Sequence, residues 1–261
     1  MIGFSAEAHE PAAIGTLDVP GADAALFLDF DGTLVDIAER PDAIVVPANL
    51  VDMLNRLCER HDGAVAIVSG RDISDLSGHL EGFAGALAGG HGGQVMHAGG
   101  PVSQTSVDPV KLASLQAAAE AFALVEPGLH IERKSAGVVL HYRSAPELEE
   151  KIRAFAHALA DPDPDFVCQS AKMACEIKPH GVSKGGAIER LMRDPPFAGR
   201  RPVFVGDDRT DETGFEFVNA NNGISIKIGD GQTEAGFRID TPPAFRDWLA
   251  ALVAERAGAR T

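Results

Sequence analysis

Apolar residues in this chain fall in short unbroken runs separated by stretches of helical spacing, and the rhythm changes twice. The stretch Ala24 to Val35, AALFLDFDGTLV, opens as an apolar strand and leaves it through a tight glycine-containing exit. Ala48 to His61 carries helical spacing through Leu50, Met53, Leu54 and Leu57 and stops near Gly63. A second apolar run, Ala64 to Val68, leads to SGRD and a helix from Asp72. Gly85 to Ala88 is a third short strand, followed by the glycine-rich AGGHGGQV. Strands apolar at every position, alternating with helices, predict a parallel sheet covered on both faces.

Around Pro101 the pattern becomes helix, strand, strand, stated twice. Val110 to Leu124 is helical, and His130 to Lys134 and Val138 to Arg143 are strands joined at Ser135-Ala136-Gly137. Pro146 to Leu159 is helical again, and Asp165 to Ser170 pairs with Met173 to Lys178. Adjacent paired strands predict an antiparallel sheet and hence an inserted domain. From Ser183 the first rhythm returns: helix Ser183 to Met192, strand Pro202 to Gly206, helix Thr210 to Phe217, strand Gly223 to Lys227 and helix Pro243 to Ala257. The reading is an α/β chain: a loosely held tail over 1–24, a doubly wound core over 25–101 and 180–261, and a smaller α+β cap of two αββ units over 102–179. The default ligand site is a cleft between core and cap.

Composition narrows the possible partners. With 261 residues, the chain is long enough for this arrangement. A formal net charge of -15 leaves no basic surface for nucleic acid or an anionic membrane, so positive charge for an anionic ligand must be local or carried by a metal. Three scattered cysteines, Cys58, Cys168 and Cys175, make neither a disulfide framework nor a zinc site and read as reduced packing residues. The first 24 residues lack a basic and an apolar segment of a leader, and no run reaches the roughly 18 apolar residues of a membrane span. A cytoplasmic protein is expected. The sequence leaves the oligomeric state open and is compatible with a monomer.

Four clusters carry chemistry. Asp29 and Asp31 lie two positions apart, and in an extended segment both would point into one small volume. That arrangement needs a cation between them or a proton on one. By itself it is equally a strand followed by an Asp-Gly turn. Gly32 permits the sharp turn, and Thr33 offers a hydroxyl and an N–H to an anion. Ser69 with the backbone N–H groups that follow, Gly70 first, can bind an anion at a helix start, or simply cap that helix. GDDRTDE places four acids, Asp207, Asp208, Asp211 and Glu212, within six residues at a strand end. Glu212 suits the helix dipole, whereas adjacent Asp207 and Asp208 grouped with Asp29 are the hard oxygen donors that Mg²⁺ requires. Lys184 sits in the first turn of a helix, the wrong end for a cation, which aims it at an anion.

DFDGT, SGR, Lys184 and GDDRTD together resemble the four motifs of the haloacid dehalogenase (HAD) superfamily of aspartate-nucleophile phosphatases. LAGGHGGQV, LHYR, CEIKPHGVSKGGAI, PVFVGDDRTDETGF and ISIKIGDG are similar to the bacterial trehalose-6-phosphate phosphatase family, and span Asp29 to Gly231. Gln94 stands where most members carry Glu. The resemblance implies that Asp29 attacks phosphorus and that Asp31 serves as acid and then base. It implies Mg²⁺ held by the Asp29 carboxylate, the Asp31 main-chain carbonyl and Asp207, with Asp208 or Asp211 orienting waters. Thr33, Ser69, Gly70 and Lys184 would hold the phosphoryl oxygens, and Arg71 would contact the substrate.

The same resemblance selects the cap residues for a phosphosugar. Glu132 with Lys134 and Glu176 with Lys178 are i, i+2 pairs on their strands, otherwise legible as a solvated charged face. His91 in its glycine-rich loop is a further contact candidate. Arg133 would point away, and His141, Tyr142 and Arg143 read as packing or hinge residues. Rival readings are a phosphatase for another phosphosugar such as sucrose phosphate, a phosphomutase, or a non-catalytic sensor. A sensor should lose the nucleophile or the acid, and this chain keeps both Asp29 and Asp31.

Overall fold

The computed structural model describes residues 11–13, 20–38, 43–171 and 173–254. Two compact units divide the chain, one from residues up to Ser103 together with Ser183 onward, the other from Gln104 to Val182.

In the first unit the strands are β1 (Ala12–Ala13), β2 (Ala24–Leu28), β3 (Val65–Val68), β4 (Ala86–Gly89), β5 (Gln94–Met96) and β6 (Val102–Gln104), then β11 (Arg201–Gly206), β12 (Ile224–Ile228) and β13 (Phe237–Ile239). Among the described residues these nine form one sheet in the order β1-β13-β12-β11-β2-β3-β4-β5-β6. The pairings from β1 through β4 are parallel, and β5 turns back antiparallel on β4.

Alternation sorts the strand residues onto two faces. Leu26, Leu28, Ile67 and Val205 pack with helices α1 (Leu50–Arg60), α2 (Ile73–His79) and α7 (Pro242–Ala254). Ala25, Phe27, Ala66 and Phe204 pack with α5 (Lys184–Leu191) and α6 (Glu212–Ala220). Both faces are buried, which is why these strands are apolar throughout.

The short strands β1, β5, β6 and β13 escape the sequence reading because each has two or three residues and no apolar run. Ala12–Ala13 pairs with β13, so this part of the expected tail is an edge strand. The rest of that tail up to residue 19, apart from residue 11, lies outside the described residues, as do residues 255–257 of the expected last helix.

The second unit contains α3 (Pro109–Ala123), β7 (His130–Arg133), β8 (Val138–His141), α4 (Glu149–Ala160), β9 (Phe166–Ala171) and β10 (Ala174–Pro179). Its four strands run β7-β8-β10-β9, all antiparallel. Val138, Leu140, Cys175 and Ile177 pack under α3 and α4 through Leu115, Ala119, Ile152 and Ala156. The opposite face carries the row Glu132, Val139, Glu176 and Gln169, which lie directly across from one another on the four strands.

Candidate active site

The carboxyl ends of β2, β3 and β11 bring the candidate residues together. Asp29 follows β2 directly, is 3% exposed, and its N–H donates to the Val205 carbonyl at 2.9 Å. Both of its carboxylate oxygens are held: Thr33 Oγ1 donates to Oδ2 at 3.1 Å and Lys184 Nζ to Oδ1 at 2.6 Å. Lys184 Nζ also reaches Asp211 Oδ1 at 2.6 Å. Burial raises the Asp29 carboxyl well above its ordinary value, the Lys184 charge works against that, and Asp211 and Asp207 add to it. Burial alone would lower the Lys184 ammonium, but Asp211, Asp29 and Asp208 outweigh it and hold it charged.

Lys184 thus breaks the dipole rule for a local reason. Ser183 caps α5 by accepting from the Gly186 N–H at 3.0 Å, and the lysine, 3% exposed, turns into the acid cluster. Asp211 is fully buried, and its Oδ2 accepts from the N–H groups of Asp207 and Asp208, both at 2.9 Å, which shapes the loop after β11. Asp208 Oδ1 accepts from the N–H and hydroxyl of Thr210, at 2.6 and 2.7 Å.

Asp31 lies beyond β2, which ends at Leu28, where the chain turns over 32–34. Its carboxylate is taken up by Arg71, Nε to Oδ2 at 2.6 Å and Nη2 to Oδ1 at 2.8 Å. Arg71 also reaches Asp75 at 2.8 Å and lies over the Phe30 ring, 5.8 Å from its centroid. Gly32 has φ +77°, and a Cβ there would lie 2.1 Å from Asp207 Oδ2, so the turn is pressed against the acid cluster.

The SGRD loop is latched to the glycine-rich segment. Ser69 donates its N–H to Ala88, His91 donates to the Ser69 carbonyl, and Gly90 donates to the Arg71 carbonyl, at 2.8, 3.0 and 2.8 Å. Ser69 Oγ accepts from the Arg71 N–H at 3.2 Å. The His91 ring packs where a Gly70 side chain would stand, 2.5 Å from that Cβ position. Gln94 Oε1 accepts from the Ile73 N–H at 2.8 Å and caps α2. An acceptor oxygen is all that cap needs, and a glutamate supplies one equally.

Among the described residues, Asp29, Asp207 and Asp211 are the acids that each offer an oxygen within 4.8 Å of the others. Burial and repulsion from Asp211 and Asp208 push Asp207 up to about 6. Four carboxylates, Asp29, Asp207, Asp208 and Asp211, face two ammonium groups here, Lys184 and Lys227. That surplus of hard oxygen donors fits a small divalent cation such as Mg²⁺.

Lys227 is a site residue that sequence reasoning missed. It is 4% exposed on β12 and donates to the Asp207 carbonyl. Its signal was a lysine inside the apolar run ISIKI, the same kind of broken rule that exposed Lys184.

In the second unit, Glu132 accepts from Lys134 Nζ at 2.5 Å and pairs with His141 Nε2 at 2.8 Å. The His141 hydrogen bond, reinforced by Lys134 against partial burial, draws the Glu132 carboxyl down to about 2. Glu176 and Lys178 are each 8% exposed, which sets them apart from a solvated charged face. Arg133 points to the helix side and forks Glu120 at 2.6 and 2.7 Å.

Comparison with known proteins gives one consistent result. The family model described as trehalose-phosphatase matches residues 27–242. The trehalose-6-phosphate phosphatase of Escherichia coli K12 is 38% identical over 225 residues, covering 86% of this chain and 85% of that protein. The C-terminal domain of the Candida albicans trehalose-6-phosphate phosphatase superposes with a TM-score of 0.76 at 23% identity, over 88% of this chain and 92% of that one. A haloacid dehalogenase-like hydrolase from Bacteroides thetaiotaomicron shares the fold with a TM-score of 0.66 at 14% identity, over 87% and 98%.

Proposed function

The chain belongs to the trehalose-phosphatase family, and from that premise we propose that it hydrolyses trehalose 6-phosphate to trehalose and phosphate with Asp29 as nucleophile. It is a phosphatase of trehalose biosynthesis on the HAD fold. The observation that carries the assignment of Asp29 is its position: buried at the end of β2, both oxygens tethered, beside Asp207 and Asp211.

The tethers from Thr33 and Lys184 stop the Asp29 carboxylate from rotating and aim it at an incoming phosphorus. Attack forms the aspartyl-phosphate and breaks the bond to the sugar oxygen. Asp31, oriented by Arg71, gives its proton to that oxygen and then takes one from the water that cleaves the acyl phosphate. Lys184 compensates charge on the phosphoryl oxygens, and Ser69 with the Gly70 N–H holds them in place. Asp29, Asp207 and the Asp31 carbonyl would hold Mg²⁺, with Asp211 orienting the Asp207–Asp208 loop. Mg²⁺ bound there supplies the positive charge that lets an anionic nucleophile and an anionic ester approach.

Glu132, Lys134, Glu176 and Lys178 serve as sugar-hydroxyl partners in this reading, with Arg71 and His91 as further contacts. The free thiols of Cys58, Cys168 and Cys175 suit work in the cytoplasm, and no helix among the described residues is long and apolar enough to cross a membrane.

Phosphate release from a panel of phosphosugars, with Mg²⁺ and with EDTA, tests both halves of the proposal. Selective turnover of trehalose 6-phosphate, lost in EDTA and in Asp29→Asn, is expected. Equal turnover of several hexose phosphates overturns the substrate, and activity surviving in Asp29→Asn overturns the mechanism.

A further inference from the structure

We propose that His141 is a positioning residue for sugar recognition, which it serves by fixing the carboxylate of Glu132. The inference rests on the reading of Glu132 as a sugar contact and adds the residue that sets its orientation.

Glu132 lies on β7, an edge strand of the four-stranded sheet, and its side chain is 40% exposed. A glutamate in that setting samples several rotamers, and ordering it on binding costs free energy. Here both oxygens are restrained, Oε1 by Lys134 Nζ at 2.5 Å and Oε2 by His141 Nε2 at 2.8 Å. The two restraints are unequal. Lys134 lies just beyond β7 at the end of a long flexible stem, and is itself read as a sugar contact.

His141 is the stiff restraint. It closes β8, an inner strand paired on both sides, directly across from His130 on β7 and Ala174 on β10. The two imidazole rings lie 5.8 Å apart, which limits the swing of the His141 ring. An ionised carboxylate has about four acceptor sites, so two restraints leave about two aimed outward for sugar hydroxyls. The hydrogen bond from His141 therefore preorganises Glu132 without saturating it. No local pattern announces the pair, because nine residues and a turn separate its members and only the β7–β8 register joins them.

The test compares wild type, His141→Ala, His141→Gln, Glu132→Gln and the double variant His141→Ala/Glu132→Gln, each checked for an unchanged thermal unfolding midpoint. Steady-state kinetics with Mg²⁺ would use trehalose 6-phosphate and p-nitrophenyl phosphate, a substrate with no sugar. His141→Ala should raise KM for trehalose 6-phosphate about ten-fold with kcat nearly unchanged, the scale of one partly exposed charge-assisted hydrogen bond. It should leave p-nitrophenyl phosphate turnover unaltered.

His141→Gln, whose amide N–H reaches the position of Nε2, should recover most of that loss. The double variant should be no worse than Glu132→Gln alone. If Glu132→Gln raises KM but His141→Ala does not, or the two effects simply multiply, the positioning role is overturned. If Glu132→Gln itself leaves KM unchanged, the sugar-contact reading of Glu132 fails, and the proposal fails with it.

Discussion

Arg71 grips Asp31 through two hydrogen bonds, Nε to Oδ2 at 2.6 Å and Nη2 to Oδ1 at 2.8 Å, and anchors a third to Asp75 at 2.8 Å. The pair links the ends of β2 and β3 and fixes the orientation of the carboxylate proposed as acid and then base. A lysine offers a point charge without the fork. Arg71→Lys should therefore lower kcat for trehalose 6-phosphate about ten-fold or more, and single-turnover kinetics should place the defect in the chemical steps. An unchanged kcat would remove Arg71 from the machinery.

Lys184 stands between Asp29 and Asp211 with its side chain 4% exposed. Lys184→Met leaves two buried carboxylates facing each other, so the variant should lose about 3–5 kcal/mol of stability unless a cation binds. Turnover should fall at least about 100-fold because the phosphoryl oxygens lose their counter-charge. Urea unfolding with and without Mg²⁺, together with phosphate release, measures both.

Gly32 admits no side chain. Its φ of +77° and the 2.1 Å separation between Asp207 Oδ2 and the place a methyl group would occupy act together. Gly32→Ala should lose about 1–3 kcal/mol of stability and displace Asp207. Calorimetric titration with Mg²⁺ should show weaker binding than in wild type. Unaltered affinity and stability would mean that the turn relaxes freely.

Gln94 caps α2 at the Ile73 N–H, 2.8 Å away. Gln94→Glu keeps the acceptor and should retain wild-type stability and activity within about two-fold, whereas Gln94→Leu should cost about 1 kcal/mol and loosen the Arg71 loop. Thermal midpoints and kcat for the two variants distinguish a cap from a direct sugar contact, which Gln94→Glu would also disturb.

His61 gives the fold a pH dependence. Its ring is fully buried, Nδ1 donates to the Ala24 carbonyl at 3.1 Å, and Nε2 has no hydrogen-bond partner among the described residues. Burial pulls its pKa below the ordinary 6.5, helped by the charges of Arg60 and Arg200. The unfolded chain then binds the proton first, so stability is intact above about pH 6.5 and declines as the pH falls through that value. Urea midpoints between pH 8 and 5 should fall more steeply for wild type than for His61→Asn, whose amide keeps the Ala24 bond without titrating. Parallel slopes would exclude the histidine as the cause.

The apolar runs by themselves determined the core strands and the helices between them, because burial on both faces demands unbroken hydrophobicity and helices declare their spacing locally. The spacing of DFDGT, SGR, Lys184 and GDDRTD likewise marked the carboxyl ends of β2, β3 and β11 and the start of α5. Tertiary structure alone decided which groups meet. Asp31 turns to Arg71, and Asp29 gathers Asp207 and Asp211, because β2 ends at Leu28 and strand alternation no longer directs the residues after it. Lys227 and His141 reach Asp207 and Glu132 through sheet register, a relation between neighbouring strands that no local pattern records. The short strands β1, β5 and β13 are similarly set by their neighbours: two or three residues carry too little pattern to specify a strand, and hydrogen bonding to an existing sheet supplies the rest.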